Sequence, residues 1–160
     1  MHTYDPIDWR PIRPEDLHLY LIEPQLKLLI DYTYEAKSIV ELIIQDVGVM
    51  VRSFIYASKQ NIRIDDRIQH IPPQLRQATI YLVLEALQSR IPGLDLTTDQ
   101  KNNADQARAT LKMVQQGIIR ISSALSPVER INEAGLAHYY RMKSLEAAQH
   151  QITRQQLHRL

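Results

Sequence analysis

The sequence predicts an all-α fold, a helical bundle around a long central helix with an N-terminal arm and a C-terminal helical extension. Three observations point there. Glycine is scarce, with four in 160 residues, at 48, 93, 117 and 135. Prolines stand near the starts of segments. Apolar residues recur at helical spacing through the middle of the chain.

Residues 1–13 hold Pro6, Trp9 and Pro11 without periodicity and read as an extended arm. A first helix is expected from Pro14 to about Leu21, with Glu15 and Asp16 in the first turn, where the helix dipole favours carboxylates. Pro24 starts a second short helix through Leu26, Leu29 and Ile30, ending in a turn around Asp31–Thr33. The third and longest runs from about Tyr34 to Lys59, roughly 39 Å at the helical rise. Its stripe Val40, Ile43, Val47, Met50, Phe54 lies beside a second of Ile44, Val51 and Ile55. Two adjacent stripes imply burial over a wide arc, so this helix is expected in the middle of the bundle.

A polar stretch, Asn61–His70, leads to Ile71, which Pro72 pushes towards an extended conformation. Pro72-Pro73 opens a fourth helix carrying Leu75, Ala78, Leu82, Ala86 and Leu87, and Pro92-Gly93 stops it. Thr97-Thr98-Asp99-Gln100 fits a capping box with Thr97 as N-cap. The fifth helix follows on Ala104, Ala107, Leu111 and Val114, and Gly117 is a natural stop. Ile118–Ile121 reads as a short extended piece. Ser126-Pro127-Val128-Glu129 is a second capping box, opening a sixth helix to about Gln149. Its apolar positions scatter around the axis, which marks it for burial against another chain. The expected organisation is an arm (1–13), a bundle (14–117) and a docking extension (118–160).

The 19 Lys and Arg nearly balance the 18 Asp and Glu, which disfavours a dedicated nucleic-acid binder. The balance is uneven. Arg120, Arg130, Arg141, Lys143, Arg154 and Arg159 face only Glu129, Glu133 and Glu146 beyond residue 117, so that segment carries +3 and the rest −2. Cysteine is absent, which excludes disulfides and thiolate metal sites and suits a reducing compartment. The first residues lack the pattern of a signal peptide, and no apolar run is long enough to span a membrane, so the chain is expected in the cytoplasm or in something assembled there.

Searching for chemistry turns up little. No two histidines stand three or four apart, as two imidazoles on one metal need. The glycines are too dispersed for a phosphate loop, and no serine sits in a strand–turn–helix elbow. Asp65-Asp66, flanked by Arg63 and Arg67, reads as solvated ion pairing, or as an inter-subunit contact made by Asp65, Asp66 and Arg67. Asp99, Lys101, Asp105 and Arg108 form a polar helix face. Aromatics and Arg anchor interfaces, so Trp9 in the arm and Tyr139, Tyr140, Arg120, Arg130, Arg141, Lys143 and Arg154 in the extension are the candidate contact residues. No catalytic, cofactor or metal site is expected, and the chain reads as a non-enzyme.

The order and spacing of several segments carry a resemblance. They are Pro14–Leu17, Val51–Ile55, Ile71-Pro72-Pro73-Gln74-Leu75-Arg76, Arg90-Ile91-Pro92-Gly93, Leu96–Gln100 and Leu111–Gly117. From Pro14 to Gly117 the chain resembles the head–tail connector adaptors of tailed phages. The resemblance implies a helical bundle that assembles as a ring, commonly of twelve subunits, in the neck of a virion after assembly in the host cytoplasm. Such a ring meets the portal protein on one side and a stopper or tail-completion protein on the other. DNA passes through its channel without sequence-specific binding. A different reading is a non-phage helical partner-binding or regulatory module. A tail-completion protein, an enzyme and a DNA binder using the basic tail are further rivals.

Overall fold

The apolar residues recur at helical spacing, and the structure is accordingly helical. A computed structural model describes residues 8–125, without the side chains of residues 33–38. By its internal contacts the chain divides after Ala124. The sixth helix with its capping box, and the contact residues Arg130, Tyr139, Tyr140, Arg141, Lys143 and Arg154, lie outside the described residues.

Two two-residue strands, β1 (Arg10–Pro11) and β2 (His70–Ile71), pair antiparallel, with Arg10 opposite Ile71 and Pro11 opposite His70. Ile71 is extended, as Pro72 requires. Helix α1 (Pro14–Leu17) opens on its proline and closes after one turn into a 3-10 turn, His18–Tyr20. Its Asp16 carboxylate accepts the Arg13 amide at 2.7 Å and the Arg76 guanidinium at 2.6 Å.

The expected break around Asp31–Thr33 does not occur: α2 is one helix of 35 residues, Glu23–Ala57. No Gly or Pro lies between Gln25 and Asp46, and Asp or Thr within a helix costs only some ~0.5 kcal/mol, which tertiary packing overrides. At its start the Ile22 amide donates to Gln25 Oε1 at 3.1 Å, and the Gln25 amide donates on to the Asp95 carbonyl and Gln100 Oε1.

Helix α3 (Pro73–Gln88) and helix α4 (Thr98–Gln115) pack as a hairpin against α2. In the connecting turn the Arg90 and Ile91 amides cap Leu87, and Gly93 takes a left-handed φ of +80°. The capping box at Thr97 forms in full: the Gln100 amide donates to Thr97 Oγ1, and the Thr97 amide to Gln100 Oε1. Helix α4 ends where Gly117 turns left-handed at φ +76°.

Burial corrects the placement of the centre. Leu75, Thr79, Ile80, Leu82, Val83, Leu84 and Leu87 are all buried, so α3 is enclosed around most of its circumference. Helix α2 is the long flank. It gives Val40, Ile44, Val47, Val51 and Ile55 to the core and leaves its opposite side in solvent. The bundle also extends past Gly117. Ile121 and Ala124 are core residues, and the Ala124 amide donates to the Arg63 carbonyl at 2.8 Å. The segment 118–124 forms no strand and no outward extension; it closes the body.

Candidate interaction surface

The outer side of α2 has a pattern of its own. Ile39 (41% exposed), Leu42 (55%), Val49 (48%), Met50 (40%) and Tyr56 (62%) all face solvent. At about 100° per residue they occupy an arc of roughly 120°, centred about 160° from the core stripe. Ile39, Leu42, Asp46, Val49, Ser53 and Tyr56 alternate three and four apart, the a/d spacing of a coiled-coil seam. Asp46 and Ser53 are its two polar positions, both exposed. The helix is thus apolar on two opposite sides, one of which the described residues leave uncovered. Isolated surface leucines are ordinary; an ordered row on one helix is not.

Beside the other end of the chain lies a buried polar node. Trp9, expected in a free arm, is fully buried, and its indole N–H donates to the Ser122 carbonyl at 3.0 Å. Arg52 on α2 sits 5.6 Å from the Trp9 ring centroid and is itself buried. Its guanidinium donates to the carbonyls of Asp65 (2.5 Å), Arg67 (3.0 Å) and His70 (3.0 Å), which folds the polar loop back onto α2. Asp65, expected in solvent, has no exposed side-chain surface. It accepts the Arg67 amide at 2.8 Å and the Arg67 side chain at 3.0 and 2.8 Å. Arg67 also reaches Asp8 at 3.4 Å. Asp66 remains exposed.

These contacts set the ionisation of the node. Burial pushes the Asp65 carboxyl up, but the hydrogen bonds and charge of Arg67 outweigh it and hold the group below the usual carboxylate range. His70 is held below its ordinary value by burial and by the charge of Arg67, against the pull of the Trp9 carbonyl 2.7 Å from Nδ1. Arg67 is raised and stays charged. All buried side-chain polar atoms among the described residues are partnered, so the node ties β2, the polar loop and α2 together.

At the end of the bundle where α2 and α4 both finish, Arg120 is exposed on the segment after α4. It lines a cleft of about 530 Å³ with Ser58, Lys59, Gln60, Asn61 and Ser123. Trp9 and Asp65 are therefore interior residues, whereas Asp66 and its neighbour Arg67 lie at the surface beside the node and Arg120 at the cleft. Sequence reasoning missed the α2 seam, although the 3-4 spacing from Ile39 to Tyr56 was there to be read. It took two adjacent stripes of α2 and left Ile39, Leu42, Val49 and Tyr56 out of both. Among the described residues no cluster of His, Asp or Glu could hold a metal, and no helix is long and apolar enough to cross a membrane.

Compared with known families, curated proteins and solved structures, the chain matches none.

Proposed function

We propose that the chain is a structural assembly protein, an adaptor ring subunit between the portal and the tail or stopper of a tailed phage. The observation that carries assembly is the outer seam of α2: four large apolar side chains in helical register with Met50 beside them, on a helix whose other side already fills the core. A helix from another chain buries such a seam by inserting side chains into its gaps. A closed ring needs two different faces on every subunit, and the seam supplies one. The phage assignment rests on the order of segments between Pro14 and Gly117. Asp46 and Ser53 weaken the seam and fix its register, which suits a contact made on assembly rather than a permanent dimer.

The test is the mass of the purified full chain by light scattering, alone and with a portal protein. A ring or a portal-bound multimer is the expected result, and Leu42→Asp combined with Val49→Asp should abolish it while leaving helicity unchanged. A monomer that ignores portal at high concentration would set the adaptor reading aside. In that case the seam would stand for the other class, a helical module for some unrelated partner.

A further inference from the structure

The cleft at the end of α2 and α4 is cationic, with no compensating carboxylate among the described residues. Lys59, Arg63, Lys112 and Arg120 belong to the stretches 57–64 and 111–124, which contain no Asp or Glu at all. All four are exposed, and none has an ion pair with a described residue. The fold brings the two stretches together. Gln60 donates to the carbonyls of Val114 and Ile119 at 3.3 and 2.8 Å, and its Oε1 accepts the Ile121 amide at 3.0 Å.

Basic residues at helix C-termini often serve only to cap the last carbonyls. Here several of those carbonyls already have donors. The Ser58 amide and hydroxyl serve Phe54 and Ile55, the amides of Gly117 and Ile118 serve Val114 and Met113, and Gln60 serves Val114 again. The two helix ends contribute about half a negative charge each, against four full positive charges, so the end keeps a strong positive field. Lys59 is also the one described non-glycine residue with a left-handed backbone, at φ +53°. A lysine there costs more than Asn or Gly would, and the turn it makes directs the chain so that Gln60 meets α4.

We infer that this cleft is a binding site for the phosphate backbone of a double-stranded nucleic acid, contacted without regard to sequence. Lys59 and Arg120 line it, Arg63 and Lys112, exposed on the same two stretches, would take the adjoining phosphates, and the exposed Asn61 offers a neutral donor. No aromatic side chain lines the cleft, so it offers no platform on which unpaired bases could stack. What it offers is charge and hydrogen bonds to phosphate, which position a duplex without reading it. The site is separate from the α2 seam and requires no ring, so a failed assembly experiment leaves it untouched.

The probe is a duplex DNA of about twenty base pairs, titrated with the full chain by fluorescence anisotropy over a salt series. Four phosphate contacts give a log–log slope near −3.6, roughly a 150-fold loss of affinity between 50 and 200 mM salt. Lys59→Asn with Arg120→Gln, at exposed positions where Asn accepts the left-handed turn, should halve that slope, to roughly a 12-fold loss, with an unchanged melting temperature. No binding at 50 mM salt would overturn the proposal. So would an unchanged slope in the double variant, with binding removed instead by neutralising Arg130, Arg141, Lys143 and Arg154. A poly-glutamate peptide should bind more weakly than the duplex; tighter binding would assign the cleft to an acidic protein and likewise refute the inference.

Discussion

Around Trp9 polar groups are buried and all of them are bonded, whereas along the outer side of α2 apolar groups are exposed with no described residue against them. The two regions share a helix. Arg52 faces inward at the node, and Val49, three residues earlier, faces outward at the seam. The node satisfies itself within one chain: three carbonyls take the Arg52 guanidinium, and the carboxylates of Asp65 and Asp8 take Arg67. The seam leaves apolar area in water that only another surface can remove. The node therefore stabilises the subunit, and in the proposed assembly the seam is where a neighbour would gain by binding.

Substitutions should separate the two. The largest effect is expected from Trp9→Ala, which removes a fully buried indole and its bond to Ser122. It should cost about 3–5 kcal/mol in denaturant unfolding. A cost below ~1 kcal/mol would return Trp9 to a free arm. Asp65→Asn comes next, at about 1–3 kcal/mol, because Arg67 can turn to solvent but the buried acceptor loses its charge-assisted bonds.

Acidification probes the same knot. His70 has a folded pKa below its unfolded value, so its contribution is complete above about pH 6.5 and is lost as pH falls through the depressed folded value. Asp65 behaves likewise lower down: its stabilisation holds above about pH 4 and disappears as pH falls through its own lowered value. Melting temperature should thus fall in two stages, and His70→Gln should remove the first; a flat profile from pH 7.5 to 5 would contradict the placement of His70.

At the seam, Leu42→Asp with Val49→Asp should change unfolding free energy by no more than ~0.5 kcal/mol per site. A loss comparable to that of Trp9→Ala would mean that the seam is covered within its own subunit. Gly48→Ala should act in the opposite direction. A Cβ there meets Ile71 Cδ1 at 3.7 Å, an ordinary contact, so helix propensity should prevail and add up to ~1 kcal/mol.

Much of the fold was legible because local physics decides it. The Thr97–Gln100 capping box, the stop at Gly117, the extended Ile71 before Pro72 and the proline starts of α1 and α3 depend on residues within a turn of each other. The break expected at Asp31–Thr33 was not, because no strong breaker stands there and weak local preference yields to packing. The surface residues were harder still. An isolated Trp near a terminus looks the same in sequence whether it packs inward or outward, and two carboxylates beside arginines look solvated until a buried guanidinium draws their loop down.

The amino-acid order by itself determined that this protein is helical, where its caps and turns fall, and that no cysteine or thiolate chemistry is open to it. Each of these follows from residue type or from neighbours along the chain. Only the tertiary structure decided that α3 is the centre, that one of the two apolar sides of α2 is left in solvent, and that Trp9 and Asp65 are interior. It also gathered the lysines and arginines of two distant stretches at one end. Such decisions depend on which faces meet across more than a hundred residues, as when the indole of Trp9 finds the carbonyl of Ser122. A helical period has no direction until something packs against it.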